Sequence, residues 1–305
     1  MNDSLWAPQF RDELDSDTVK MINTVLAKIP QLSISVRKII EMAGDENVNA
    51  VKLAEVASSD PVLASKILMI VNSSYYSLNH KVDNLRLAIV LLGFNEVRNI
   101  AVQLGFMKTM SEGDVQKSFD TKSLWIHSYL VSVCSESFCV TDDPKRTGVL
   151  MTMGILHDIG KFALYSVGVT MKKMGLRHHT VKEVSPDAPL LAKEESLFGV
   201  NHATIGGMLA ERWNLSDRTR DVLQYHHFPS FYGINEIKSD YVEDIASICL
   251  ADLIVNHINE EYKKLPQPHP VFFNILGFKP PLEDLITPEL RKKIAKAGDF
   301  INTLT

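Results

Sequence analysis

Apolar residues recur at intervals of three and four along almost the whole chain, and strict alternation of apolar and polar residues is scarce. That spacing lines one face of a helix. It cannot line one face of a strand, whose side chains alternate with a period of two. The chain is therefore expected to be all-α. Start signals agree with the periodicity. Asp60-Pro61, Asp143-Pro144 and Thr287-Pro288 each place a capping side chain before a proline at the first helical position. Asp240, with Glu243 three residues later, resembles a capping box.

At roughly 100–200 residues per domain, 305 residues leave room for two units or one large one. Three segments are expected. Residues 15–110 read as an N-terminal helical subdomain of short helices at 15–28, 33–43, 49–58, 61–72, 84–92 and 94–109, closed by the polar break Ser111-Glu112-Gly113-Asp114. Residues 120–262 read as a multi-helix bundle with helices near 122–139, 144–166, 202–213, 217–227 and 240–262. The stretch 168–200, with Pro186 and Pro189, reads as irregular. Residues 265–305 hold the stiff run Leu265-Pro266-Gln267-Pro268-His269-Pro270 and a C-terminal helical tail at 288–302.

Thirty-two basic against thirty-seven acidic residues give a net charge of −5. This lacks the basic footprint of non-specific nucleic-acid or anionic-membrane binding, so neither partner is expected. A small phosphorylated ligand needs only a local site and is not excluded. Cys134, Cys139 and Cys249 are odd in number and lie among apolar residues, as buried thiols do. The first residues show no basic region followed by a long apolar run. The stretches Leu85–Phe94 and Ala246–Val255 fall short of the ~20 apolar residues of a membrane span. A cytoplasmic location is expected.

The informative residues are polar ones on apolar faces. His127 shares a helical stripe with Leu124, Val131, Cys134 and Phe138, and His157 lies among Met153, Gly154, Lys161 and Leu164. His202 follows Phe198 and precedes Ile205 and Leu209. Asp252 lies with Ile245, Ile248, Cys249 and Val255. A buried carboxylate must be paired, metal-bound or protonated. The adjacent doublets His157-Asp158 and His226-His227 add to the set, so packed helices would bring seven such residues to one place. Imidazole nitrogens and carboxylate oxygens without thiolates suit Fe, Mn, Co, Ni or Zn rather than Ca. Seven ligands exceed one tetrahedral ion and suit two ions sharing a carboxylate. The alternative is a buried polar network that orders the core.

In order, His127, His157-Asp158, His202, His226-His227 and Asp252 resemble the ligand set of the HD superfamily of metal-dependent phosphohydrolases, and Gly154-Ile155-Leu156-His157-Asp158-Ile159-Gly160-Lys161 resembles its His-Asp segment. The first third narrows the resemblance. Ile29-Pro30-Gln31-Leu32, Val56-Ala57-Ser58-Ser59-Asp60-Pro61, Val71-Asn72-Ser73, Leu91-Leu92-Gly93-Phe94 and Val97-Arg98 look like the HDOD family, the HD-related output domains. So does His202-Ala203-Thr204-Ile205-Gly206 through Trp213.

The resemblance covers about residues 20–260. It implies an all-helical bacterial signalling protein, with a signalling protein or a small phosphorylated ligand as partner. It also implies a site for up to two divalent transition-metal ions, Fe or Mn ahead of Ni, Co or Zn. His127, His157, Asp158 and Asp252 would hold one ion, and Asp158, as bridge, with His202, His226 and His227 the other. Ser123 stands where a third ion would want an acid, one turn before His127. Phe228-Pro229-Ser230 follows the His pair in place of the Gly-Tyr-Pro of cyclic di-GMP phosphodiesterases, so that activity is not expected.

Two functions from different classes follow. One is a regulatory module with a structural or sensing metal site. The other is a phosphohydrolase in which Asp158 bridges the ions and Lys161, one turn after His157, meets the substrate phosphate. His178-His179 in the basic stretch Lys172–Lys182 is a weaker candidate for phosphate contact, and Glu194-Glu195 for a bond to His202 from behind.

Overall fold

A computed structural model describes residues 7–42, 49–73, 75–76, 78–111, 119–140, 144–173, 188–259 and 266–302. The polar break at 112–114, the Asp143 cap, Pro186, Leu265 and the His178-His179 pair lie outside the described residues. Among those described there are fifteen α-helices, several one-turn 3-10 segments and no strand.

The N-terminal helices are α1 (Ser16–Leu26), α2 (Ile34–Glu41), α3 (Ala50–Ser58), α4 (Pro61–Val71), α5 (Leu85–Leu92) and α6 (Phe94–Ser111). Their starts are chemically determined. The Asp15 carboxylate accepts from the Asp17 and Thr18 amides at 3.0 and 2.9 Å, and Asp60 from Val62 and Leu63 at 3.1 and 3.2 Å, ahead of Pro61. Each such cap is worth about 1 kcal/mol. Helices α3, α4 and α5 pack on one another, and α6 lies against α2, α4 and α5.

The second group is α7 (Thr121–Ser135), α8 (Pro144–Leu156), α9 (Ile159–Lys173), α10 (Leu190–Phe198), α11 (His202–Arg212), α12 (Asp217–Tyr225) and α13 (Val242–Ile258). It is followed by α14 (Pro270–Ile275) and α15 (Pro288–Asn302). Every residue of α13 from Asp244 to Asn256 is buried, which makes it the central rod of the bundle. Around it α7 packs against α8, α13 and α15, and α11 against α9 and α12. One continuous apolar core runs from Ile22 to Ile301 and takes residues from both groups. Ile29-Pro30-Gln31 docks on the end of α11, where the Trp213 indole N–H donates to the Pro30 carbonyl at 3.0 Å.

Four expectations are corrected. The helix expected at 144–166 is two, because His157 and Asp158 form a turn between α8 and α9. The stretch expected to be irregular from 168 to 200 carries the end of α9 and all of α10, which starts directly after Pro189, where the ring's fixed φ suits a helix entry. Pro270 opens α14 within the run expected to be a linker. At α13 the residue before the helix is Tyr241, with no side-chain cap, so Asp240 and Glu243 form no capping box. The Thr287 cap holds as expected, with its hydroxyl accepting from the Leu290 amide at 3.1 Å.

Among the described residues no single helix is long and apolar enough to cross a membrane.

Candidate metal centre

Five places in the chain supply the seven candidate residues. His127 sits mid-α7, and His157-Asp158 fill the α8–α9 turn. His202 is the first residue of α11, His226 ends α12 with His227 in the turn after it, and Asp252 lies in the middle of α13. The crossing of α9 and α11 is close enough to exclude a side chain: a Cβ on Gly160 would stand 1.8 Å from the His202 carbonyl oxygen. This contact holds the Asp158 turn against the start of α11, and the His202 Nε2 lies 3.1 Å from the Asp158 Oδ1.

The ligand atoms of Asp158, His202, His226 and His227 all lie within 4.8 Å of one another, as do those of His127, His157 and Asp158. Asp158 belongs to both sets. Asp252 adjoins the second, its Oδ1 lying 3.0 Å from the His127 Nε2 and 3.6 Å from the His157 Nε2. The structure thus brings together all seven residues singled out in the sequence. Lys161, in the first turn of α9, donates to the Asp158 Oδ2 at 2.5 Å.

Backbone and carboxylate acceptors orient the rings. The His157 Nδ1–H donates to the Gly154 carbonyl at 2.7 Å, the His226 Nδ1–H to the Leu223 carbonyl at 2.8 Å, and the His202 Nδ1–H to Glu194 at 2.7 Å. In all three the Nε2 is left facing the cluster, the arrangement a metal-binding imidazole needs. Asn256, one turn after Asp252, donates to its Oδ1 at 2.9 Å. Glu194 was singled out in the sequence. Asn256 was not, although its i+4 spacing from Asp252 on α13 was a usable signal.

Electrostatics divide the cluster. Burial alone would lower His157, but Asp158 and Asp252 beside it outweigh burial and raise it to about 10. Burial would likewise lower His202, but Glu194 and Asp158 raise it to about 9. Burial would raise Asp158, yet His157 and Lys161 hold it well below the carboxylate range, and His127 and His157 do the same for Asp252. Burial and the surrounding imidazoles push His226 well down, and burial with His202 brings His227 to about 4.

The residues fit a cation. The buried His127 Nδ1, His226 Nε2 and Asp252 Oδ2 have no hydrogen-bond partner. A self-contained polar network would leave few such atoms, because each unmatched one costs roughly 1–3 kcal/mol. Burial across the cluster is uneven. His157, His202 and His226 are fully buried, while the His127 and His227 side chains are 11% and 17% exposed and that of Lys161 is 30%.

The remaining candidates stand apart. Ser123 donates to the Asp120 carboxylate at 2.7 Å. Lys172 and Lys173 are exposed at the end of α9. Tyr75 and Tyr76 stack on Phe300 of α15, and the His269 ring caps α14.

The model of the HDOD domain family matches residues 29–229. An HDOD domain protein of unknown function from Geobacter sulfurreducens superposes with a TM-score of 0.69 at 21% identity, over 95% of this chain and 98% of that one. A Marinobacter aquaeolei chain, described provisionally as a signal transduction protein, gives 0.68 at 20% identity, over 96% of this chain and 66% of that one. An uncharacterized Treponema pallidum protein is 22% identical over 269 residues, which is 86% of this chain and 50% of the relative. The Bacillus subtilis protein YuxH is 26% identical over 145 residues, 48% of this chain and 31% of its own length. The chain thus spans about half the Treponema relative and a third of the Bacillus one. At these identities the solved structures share the fold.

Proposed function

The chain belongs to the HDOD domain family, and from that premise we propose that it is a regulatory, signal-transducing protein whose seven-residue cluster binds up to two divalent transition-metal ions. The observation that carries this reading is the pair of ligand groups sharing Asp158. One carboxylate with an oxygen toward each group suits a bridge. Five imidazoles and two carboxylates without a thiolate suit Fe, Mn, Co, Ni or Zn, and the resemblance to the HD superfamily puts Fe or Mn first. The partner is a signalling protein or a small phosphorylated ligand. The test is elemental analysis of the full chain purified without chelator. Up to two ions per chain are expected, and a metal-free protein that takes up none on titration refutes the reading.

The partial exposure of the His127, His227 and Lys161 side chains supports a second reading, metal-dependent hydrolysis of a phosphoester. Divalent ions bound there supply Lewis acidity toward a phosphoryl group. Lys161, partly exposed and hydrogen-bonded to Asp158, is suited to neutralise charge on the phosphoryl oxygens. The buried faces of His157, His202 and His226 keep water out of the remainder. With Phe228-Pro229-Ser230 after the histidine pair, cyclic di-GMP turnover is not expected. Assays of the metal-loaded chain against cyclic dinucleotides, nucleoside phosphates and a chromogenic phosphodiester, with Asp158→Ala as control, separate the readings. Rates that Asp158→Ala abolishes mark an enzyme, and equal background rates mark a binding module.

A further inference from the structure

We propose that Glu194 is the positioning residue that sets which nitrogen of His202 faces the cluster, and so governs how tightly Asp158, His202, His226 and His227 hold an ion; this rests on the metal-binding reading above. The buried Glu194 carboxylate takes three contacts from this one residue. The His202 Nδ1 lies 2.7 Å from Oε2 and 3.0 Å from Oε1, and the His202 backbone N–H donates to Oε2 at 2.9 Å. The backbone bond fixes the carboxylate against the first residue of α11, and the ring bond then fixes the plane and tautomer of the imidazole.

His157 and His226 obtain the same orientation from the carbonyls of Gly154 and Leu223, three residues earlier on their own helices. His202 has no such acceptor, because it opens α11 and residue 199 lies outside that helix, in the left-handed turn that ends α10. Its acceptor must come from another element, and α10 supplies it. The neighbouring Glu195 adds a second grip, accepting from the Nδ2 of Asn201, the α11 cap, at 2.6 Å. The two orienting modes are chemically different. A carbonyl is neutral and survives any side-chain substitution, whereas the Glu194 carboxylate is charged, makes Nε2 a stronger donor to a cation, and is removable. Of the three buried imidazoles, His202 is therefore the one whose metal affinity a single distant side chain can tune.

The test uses the full chain with zinc as probe. Wild type, Glu194→Gln, Glu194→Asp and His202→Ala are compared by zinc titration, by the melting temperature of the metal-free protein, and by nitrogen-15 NMR of labelled histidines in the zinc-loaded protein. In wild type the expected signature is His202 bound through Nε2 with a far-downfield Nδ1 proton. Glu194→Gln should move that proton's resonance well upfield, melt close to wild type when metal-free, and weaken one zinc affinity roughly 10–100-fold while sparing the other. The affinity it weakens should be the one that His202→Ala removes. Glu194→Asp, which keeps the charge but shortens the reach, should weaken the same affinity by less. Two wild-type affinities and an unchanged His202 proton in Glu194→Gln overturn the positioning role, as does equal weakening of both affinities in Glu194→Asp. A wild-type chain that takes up no zinc, manganese or iron refutes the metal-binding reading instead.

Discussion

Protons already occupy part of the candidate site in the metal-free protein. His157 is raised to about 10 and His202 to about 9, against an ordinary 6.5. Their stabilising contribution is complete below pH 6.5 and is lost as pH rises through those raised values. Asp158 and Asp252, depressed below 3.8, contribute fully above that value and lose the contribution as pH falls through their lowered pKa. His226 and His227 lie below 6.5 and weaken the fold as pH drops toward 4. The metal-free chain should therefore melt highest near neutral pH and lower on both sides. An ion must displace the protons on His157 and His202, so metal affinity should climb with pH until about 9 to 10. Calorimetry in buffers of different ionisation heat should detect the protons released, and a pH-independent affinity would contradict the assignment. Asp158→Ala should empty both positions, whereas His226→Ala should empty one, as read by elemental analysis. If His226→Ala strips both ions and Asp158→Ala keeps them, the bridge is not Asp158. His127, His157, His202 and Asp252 were legible because each falls on an apolar stripe, and Asp158, His226 and His227 because they stand in adjacent doublets with such a residue or with each other. Asn256 escaped notice because an asparagine near a helix end is ordinary.

Where helices meet, a missing side chain decides the geometry. Gly160→Ala would force a methyl group into the His202 carbonyl and push α9 from α11, at a cost of about 3 kcal/mol or more. Denaturant unfolding of the metal-free chain should show that loss, and metal titration should show the His202 position weakened before the His127 position. Helix existence was readable from the apolar stripes, but two features of element scale were not. The α8–α9 break at His157-Asp158 is invisible because Leu156 and Ile159 continue the buried surface across it, so the apolar period does not register the turn. Helix α10 was hidden by Pro186 and Pro189, which resemble loop punctuation until Pro189 is seen to sit at the helix start.

Over the whole molecule, the candidate ligands come from five places spread between residues 127 and 252, on helices that share one core. An ion bound only to the folded chain at 100 times its Kd adds about 2.7 kcal/mol per site. For two sites in a chain of this size, the melting temperature should rise on the order of 5–15 °C. Thermal melts with metal and with chelator measure this, and Asp158→Ala should show no difference between them. Contacts of the longest range lay beyond any reading of local pattern. The Gln9 amide donates to Glu195 at 3.0 Å across 186 residues, and Phe10 packs edge-on to Phe228, beside the histidine doublet, with ring centroids 5.1 Å apart. No periodicity announces such pairs, because they depend on how finished helices dock.

The Lys161 side chain, 30% exposed, carries its ammonium onto the buried Asp158 carboxylate, among the candidate ligands. A cation that binds through Asp158 meets a like charge already bonded there, and one that leaves gives the carboxylate back to it. Loading and stripping should then be slow beside diffusion and paced by the exchange of Asp158 between the Lys161 ammonium and the ion. Two samples of equal affinity would keep different metal contents for as long as that exchange takes. The ion found in a purified sample would reflect the medium in which the chain folded more than the medium in which it is measured.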